Sequence, residues 1–138
     1  MAILLDTNVL LDFLLMREPY YNAAREIVAL ARQNKYRFRI TPLTLSTTYY
    51  MLRKVYGHGK SMLLLQELVN TIPCVSSGDS ICGDALFTKM SDFEDALQVA
   101  MSKSSCELII TRNVKDFKKA DLKAVTPTEF LSVEPKNL

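Results

Sequence analysis

Carboxylates recur in this chain at places where a fold could gather them. Asp6 closes the apolar run Met1-Ala2-Ile3-Leu4-Leu5. Asp92, Glu94 and Asp95 crowd one short segment, and Asn113 and Asp116 follow the apolar Leu108-Ile109-Ile110. In open parallel sheets a ligand site lies beyond the carboxyl ends of the strands, where helix N-termini also point. By that rule three segments distant in sequence deliver carboxylates to one rim. Converging carboxylates repel one another, and burial raises their pKa values unless a cation is present. A hard divalent ion such as Mg²⁺ or Mn²⁺ relieves this, taking oxygen ligands and retaining waters. Such an ion can turn water into hydroxide and polarise a phosphodiester. The same residue types also have plainer uses, since Asp caps helix starts and makes turns after strands.

Net charge alone announces no nucleic-acid partner, and an uneven distribution can be no more than solvated helix faces. Seventeen basic and fifteen acidic residues give a formal +2. No Asp or Glu occurs between Ile27 and Gln66, where Arg32, Lys35, Arg37, Arg39, Arg53, Lys54 and Lys60 all fall. A basic stretch and a separate acid cluster suit a polyanion held by one surface and presented to metal by another. Lys35-Tyr36-Arg37-Phe38-Arg39 mixes cations and aromatics as single-strand binders do, although such a run is more often a sheet strand with a charged outer face. Arg53 and Lys54, at a helix end, are further candidates for phosphate contact.

The elements that must position these groups can be read from periodicity. Ala2 to Leu5 is a buried strand, and Asp6, Thr7 or Asn8 can cap the helix after it. Helices are expected over Tyr20 to Gln33, Thr44 to Tyr56, Lys60 to Thr71 and Ile81 to Met90, with Gly57 closing the second. Tyr36 to Ile40 alternates as a half-buried strand, Pro73 to Ser76 is a short one, and Gly78 marks a turn. Ser91-x-x-Glu94 matches a capping box opening a helix to about Lys103. Strands over Leu108 to Ile110 and near Ala124-Val125 precede a short C-terminal helix. Strands alternating with helices predict an α/β fold with a parallel sheet.

At 138 residues, 49% hydrophobic and 23% charged, the chain is sized for one domain with a real core, which excludes a disordered or collagen-like protein. Residues 1–132 are expected to form it, with 133–138 a short tail. Cys74, Cys82 and Cys106 show no zinc spacing, and the composition fits a reduced, cytoplasmic setting. No segment reads as an export signal or a membrane span.

Three stretches together resemble the PIN domain family: Ile3-Leu4-Leu5-Asp6-Thr7-Asn8-Val9-Leu10-Leu11-Asp12, Asp92-Phe93-Glu94-Asp95-Ala96-Leu97-Gln98, and Ile110-Thr111-Arg112-Asn113-Val114-Lys115-Asp116-Phe117. The resemblance covers nearly the whole chain in the family's order. It implies a three-layer α/β/α sandwich and a metal-dependent ribonuclease, commonly the toxin of a bacterial or archaeal toxin–antitoxin pair. It further implies that Asp6, Asp95 and Asp116 are catalytic, metal-site positions for Mg²⁺ or Mn²⁺, with Asp92 as a substitute ligand. Thr7, Asn8 and Asn113 would support them. RNA and an antitoxin protein are the implied partners, and Tyr49 and Tyr50 pack against the core or against a second copy in a homodimer.

The chain departs from the family at one place. The family usually has a Glu on the helix after the second strand, where this sequence has Thr47, or Thr48 if the register slips by one. A catalytically impaired RNA- or protein-binding module is therefore the alternative. An aspartyl-phosphate phosphatase would need a second Asp where Asn8 stands, and a phosphoacceptor receiver an acidic pair that Asp6-Thr7-Asn8 does not supply.

Overall fold

The structure is a computed structural model that describes residues 2–75, 81–86 and 89–133. β1 (Ala2–Leu5) is buried along its whole length, as its unbroken apolar run predicts. It lies at the centre of a four-stranded sheet with β2 (Phe38–Arg39), β3 (Cys106–Ile110) and β4 (Lys123–Val125), in the order β2-β1-β3-β4. Every pairing is parallel. Leu5 pairs with Ile110 and Ile110 with Val125, so these three strands end level with one another.

Successive side chains of β1 point to opposite faces and find separate cores. Ile3 and Leu5 join Leu10, Ile27, Phe38, Leu52, Ile72 and Ile110 on one side. Ala2 and Leu4 join Val99, Cys106, Ile109, Phe117 and Leu122 on the other. Helices α1 (Thr7–Leu14), α2 (Tyr21–Arg32), α3 (Pro42–Thr71) and α6 (Pro127–Val133) contribute to the first core, and α5 (Phe93–Ser102) to the second. This is the three-layer arrangement expected. Each fully buried Leu or Ile contributes about 1.5–3 kcal/mol of hydrophobic stabilisation, which fixes the strand ends from which the functional loops emerge.

Several elements differ in detail from the sequence reading. The helix break expected at Gly57 is present: α3 is two helices meeting at a kink where Gly57 leaves the helical region at φ 78° and ψ 175°. A positive φ favours glycine. Thr41 caps α3, its Oγ1 accepting from the Thr44 amide at 3.0 Å, and Pro42 fits the first turn, where no amide hydrogen is needed. The Ser91 capping box does not form. Asp92 is the cap instead, its extended backbone (φ −115°, ψ 123°) leading into α5 and its Oδ1 accepting from the Asp95 amide at 2.9 Å. That moves Glu94 one position too early to close a box. The preceding helix does not reach Met90, which is not helical: α4 spans Ile81–Leu86. The Pro73 strand is reduced to one bridge between Cys74 and Ile40. Ser76, the Gly78 turn, the middle of the Ile81–Met90 helix at 87–88 and the tail from 134 lie outside the described residues. Val133, expected to start that tail, ends α6. Among the described residues no helix is long and apolar enough to cross a membrane.

Candidate functional site

The level ends of β1 and β3 put Asp6 beside Thr111. The Asp6 amide donates to the Ile110 carbonyl at 3.0 Å, continuing the ladder one residue past the strand. Asp6 also caps α1, so its side chain turns back into the space between the elements. There it is only 7% exposed. Its Oδ1 accepts from the Thr7 amide at 2.7 Å and from Gln98 Nε2 at 3.1 Å, while Oδ2 accepts from Thr111 Oγ1 at 2.7 Å and Asn8 Nδ2 at 3.2 Å. A carboxylate has about four lone-pair sites, and protein donors meet all of them. Gln98 is itself held: its Oε1 accepts from Thr44 Oγ1 at 2.5 Å, and that hydroxyl accepts from Thr7 Oγ1 at 3.0 Å. Asn8 ties the two strand ends together, its Oδ1 accepting from the Arg112 amide at 3.2 Å.

Asp6 and Asp95 line one cavity of about 330 Å³, whose walls also include Thr7, Asn8, Thr44, Thr47, Glu94, Gln98 and Asn113. Asp95 lies in the first turn of α5 and is half-buried. Its carboxyl is pushed up to about 7, first by burial and then by the negative charges of Asp6, Asp92, Asp116 and Glu94. Of these acids, Asp6, Glu94 and Asp95 share the cavity walls. Asp92 is exposed and occupied as the α5 cap. Asp116 is exposed in a 3-10 turn (Val114–Phe117), outside the cavity walls, and reaches Asp95 only through its field.

Between the two candidate registers, Thr47 is the cavity residue. Thr48 is fully buried on the other side of the helix, and its Oγ1 has no hydrogen-bond partner. The proposed nucleic-acid cations are elsewhere. Arg37 is exposed just before the edge strand β2, Arg39 donates to the Phe38 carbonyl at 2.7 Å, and Arg53 and Lys54 are exposed on α3. None of the four lines the acid cavity. Tyr49 packs against the first core and bonds His58 Nδ1 at 2.8 Å, whereas Tyr50 is exposed.

Sequence reasoning missed Gln98, Thr111, Arg17 and Arg112. Gln98 carried a signal: three residues after Asp95, it sits on the same helix face among Ala96 and Val99, which are buried. Asp12 carried another, a carboxylate inside the apolar run of α1 that had to find cations.

A hard cation suits this donor set in part. Mg²⁺ can be bound through one or two carboxylates with waters completing its shell, and a cation there would offset the burial and the like charges that raise Asp95. Among the described residues, however, no three His, Cys, Asp or Glu side chains converge closely enough to hold one ion. Asp95 and Asp6 are the pair that fits, with Asp6 releasing one of its longer contacts, to Gln98 or Asn8.

An acid-lined cavity beyond the carboxyl ends of a parallel sheet, in a three-layer α/β fold, is the setting of this site. The PIN domain family model matches residues 2–115, and the chain belongs to that family, whose members generally depend on divalent metal. Solved structures share the fold at low identity. VapBC-1 from nontypeable Haemophilus influenzae is 18% identical with a TM-score of 0.68, over 93% of this chain and 99% of that one. VapBC2 from Rickettsia felis, bound to a DNA fragment from its promoter, is 17% identical with a TM-score of 0.67, over 91% and 98%. FitAcB from Neisseria gonorrhoeae is 17% identical with a TM-score of 0.66, over the same shares. No curated protein matches the chain significantly in sequence.

Proposed function

We propose that this PIN domain is a divalent-metal-dependent endoribonuclease that acts as the toxin of a toxin–antitoxin pair. The observation that carries the reading is that Asp6 and Asp95, from segments distant in sequence, line one cavity beyond the strand ends. Asp95 and Asp6 would hold Mg²⁺ or Mn²⁺, with Asp116 and, as a substitute, Asp92 adding negative field. The ion would supply a water of lowered pKa and charge stabilisation at a phosphodiester. Thr7 and Asn8 orient Asp6, and Asn113 lines the approach. RNA is the substrate, the cytoplasm the compartment, and a homodimer the proposed assembly. The VapBC and FitAcB neighbours support a protein antitoxin as partner.

A second reading has its own observation. Thr47 stands where the family usually has a Glu, and Gln98 and its neighbours already fill the lone pairs of Asp6. These features favour an impaired module that binds RNA or protein without efficient cleavage.

One experiment separates the two. Mixed RNAs are incubated with the protein in Mg²⁺, Mn²⁺ or chelator, using Asp95→Asn as the control because Asp6 also holds the fold together. Metal-dependent cleavage that Asp95→Asn abolishes supports the nuclease. Equal cleavage by Asp95→Asn sinks the site, and RNA binding without cleavage selects the second reading.

A further inference from the structure

Two arginines that none of the acid chemistry uses meet on the buried Asp12 and line the same cavity. Asp12 is 1% exposed and accepts from Arg17 Nε at 2.9 Å, from Arg112 Nε at 2.7 Å and from Arg112 Nη2 at 3.3 Å. A carboxylate buried in an apolar helix face needs such pairing. One guanidinium would neutralise it. Two leave an excess positive charge, and both arginines line the cavity with Asp6 and Asp95. Their side chains stay 36% and 27% exposed.

The geometry leaves donors to spare. Asp12 takes the Nε edge of each guanidinium, and neither Nη1 has a hydrogen-bond partner among the described residues. Arg17 Nη2 makes only a long 3.4 Å contact to the Asn8 carbonyl. Arg112 is further fixed, its guanidinium carbon 3.9 Å from the centre of the Tyr20 ring. Two oriented, partly exposed guanidiniums with free N–H groups are matched to phosphate oxygens. Within an acid-lined cavity they also offset the repulsion that carboxylates exert on a polyanion.

We infer that Arg17 and Arg112 form a phosphate clamp that holds a backbone phosphate of the RNA strand in this cavity, with Asp12 as their positioning residue. The identity of the ligand rests on the nuclease reading; the clamp itself does not depend on cleavage.

The test is fluorescence anisotropy with a labelled, unstructured single-stranded RNA of mixed sequence, in chelator and in Mn²⁺, across a salt series. Arg17→Gln and Arg112→Gln each leave Asp12 one guanidinium, and thermal unfolding confirms that they fold. Should either fail to fold, the charge pair is removed together in an Asp12→Asn, Arg112→Gln double variant. Each glutamine variant is expected to bind about tenfold more weakly, with a log–log salt slope shallower by about 0.7. Arg112→Lys should restore part of the affinity, and any cleavage should lose in KM rather than kcat. Folded variants with unchanged affinity and salt slope would overturn the clamp and leave the arginines as partners of Asp12 alone. A wild type that binds no RNA would also overturn it. In that event, Mn²⁺ titration of wild type against Asp95→Asn shows separately whether the acid cavity still takes metal.

Discussion

The β1–α1 wall of the cavity and the α5 wall present the same functional group in opposite surroundings. On the first, Asp6 is buried and meets four donors, from Thr7, Asn8, Gln98 and Thr111. On the second, Asp95 is half-exposed, faces like charges and is driven up to about 7. The first carboxylate is therefore part of what holds α1, α5 and the β3 loop together, whereas the second stores repulsion that a cation would release. The same residue type thus serves as scaffold on one wall and carries uncompensated charge on the other.

The largest effect should come from adding an acid to the α3 wall. Thr48→Glu places an unpaired charge at a position with no exposure, at a cost of about 3–5 kcal/mol, and thermal unfolding should show a collapsed midpoint. Thr47→Glu enters the cavity instead. It should fold, bind Mn²⁺ about tenfold more tightly by calorimetry, and be destabilised in chelator by the added repulsion. Similar outcomes for both would show that the register is wrong.

Next in size, Asp6→Ala removes a helix cap and strands buried donors, so about 3 kcal/mol of stability should be lost in chelator. Asp95→Asn should cost nothing there, or raise the midpoint by a few degrees. A denaturant titration that ranked the two the other way would break the contrast between the walls.

The pH dependence follows from the same contrast. Asp95 ionises near 3.8 when unconstrained and near 7 in the fold. Between those values the folded protein holds a proton that the unfolded chain has released, so raising the pH favours unfolding. In chelator, Asp95 therefore contributes a fall in stability from about pH 4 to pH 7, flat above. Asp95→Asn should remove that contribution, and Mn²⁺ affinity should rise through pH 7 as the proton is lost.

The smallest expected change is Thr48→Val, which deletes a buried hydroxyl without a partner. A gain of about 1 kcal/mol in urea unfolding would fit that orphan, and a loss would mean that the hydroxyl is bonded in solution.

The alternation of apolar strands with amphipathic stripes gave away the parallel sheet, and Asp6 was visible because a charge ended a run buried on both faces. Thr47 against Thr48 could not be resolved from spacing, since neighbouring helix positions differ by about 100° and only packing decides which faces the core. Ser91 misled because Asp92, one residue on, competes for the same role and its carboxylate is the stronger acceptor beside a helix start. Gln98 and Thr111 were invisible as partners of Asp6 because hydrogen bonds across such separations depend on which strands are neighbours, and strand order is written in no local pattern.

The pairing of β1 with β3 has a consequence in time. Thr111 donates to Asp6 across 105 residues of chain, and the strand that carries it lies in the last third of the sequence. A ribosome making this protein emits the first acid long before the element that orients it. Until β3 docks, Asp6 lacks two of its four donors, those from Thr111 and from Gln98 on the late helix α5. Contacts of such reach also slow folding. The cavity is thus among the last features to exist during synthesis, and a nascent or truncated chain that stops short of β3 has the acid without the walls that enclose it.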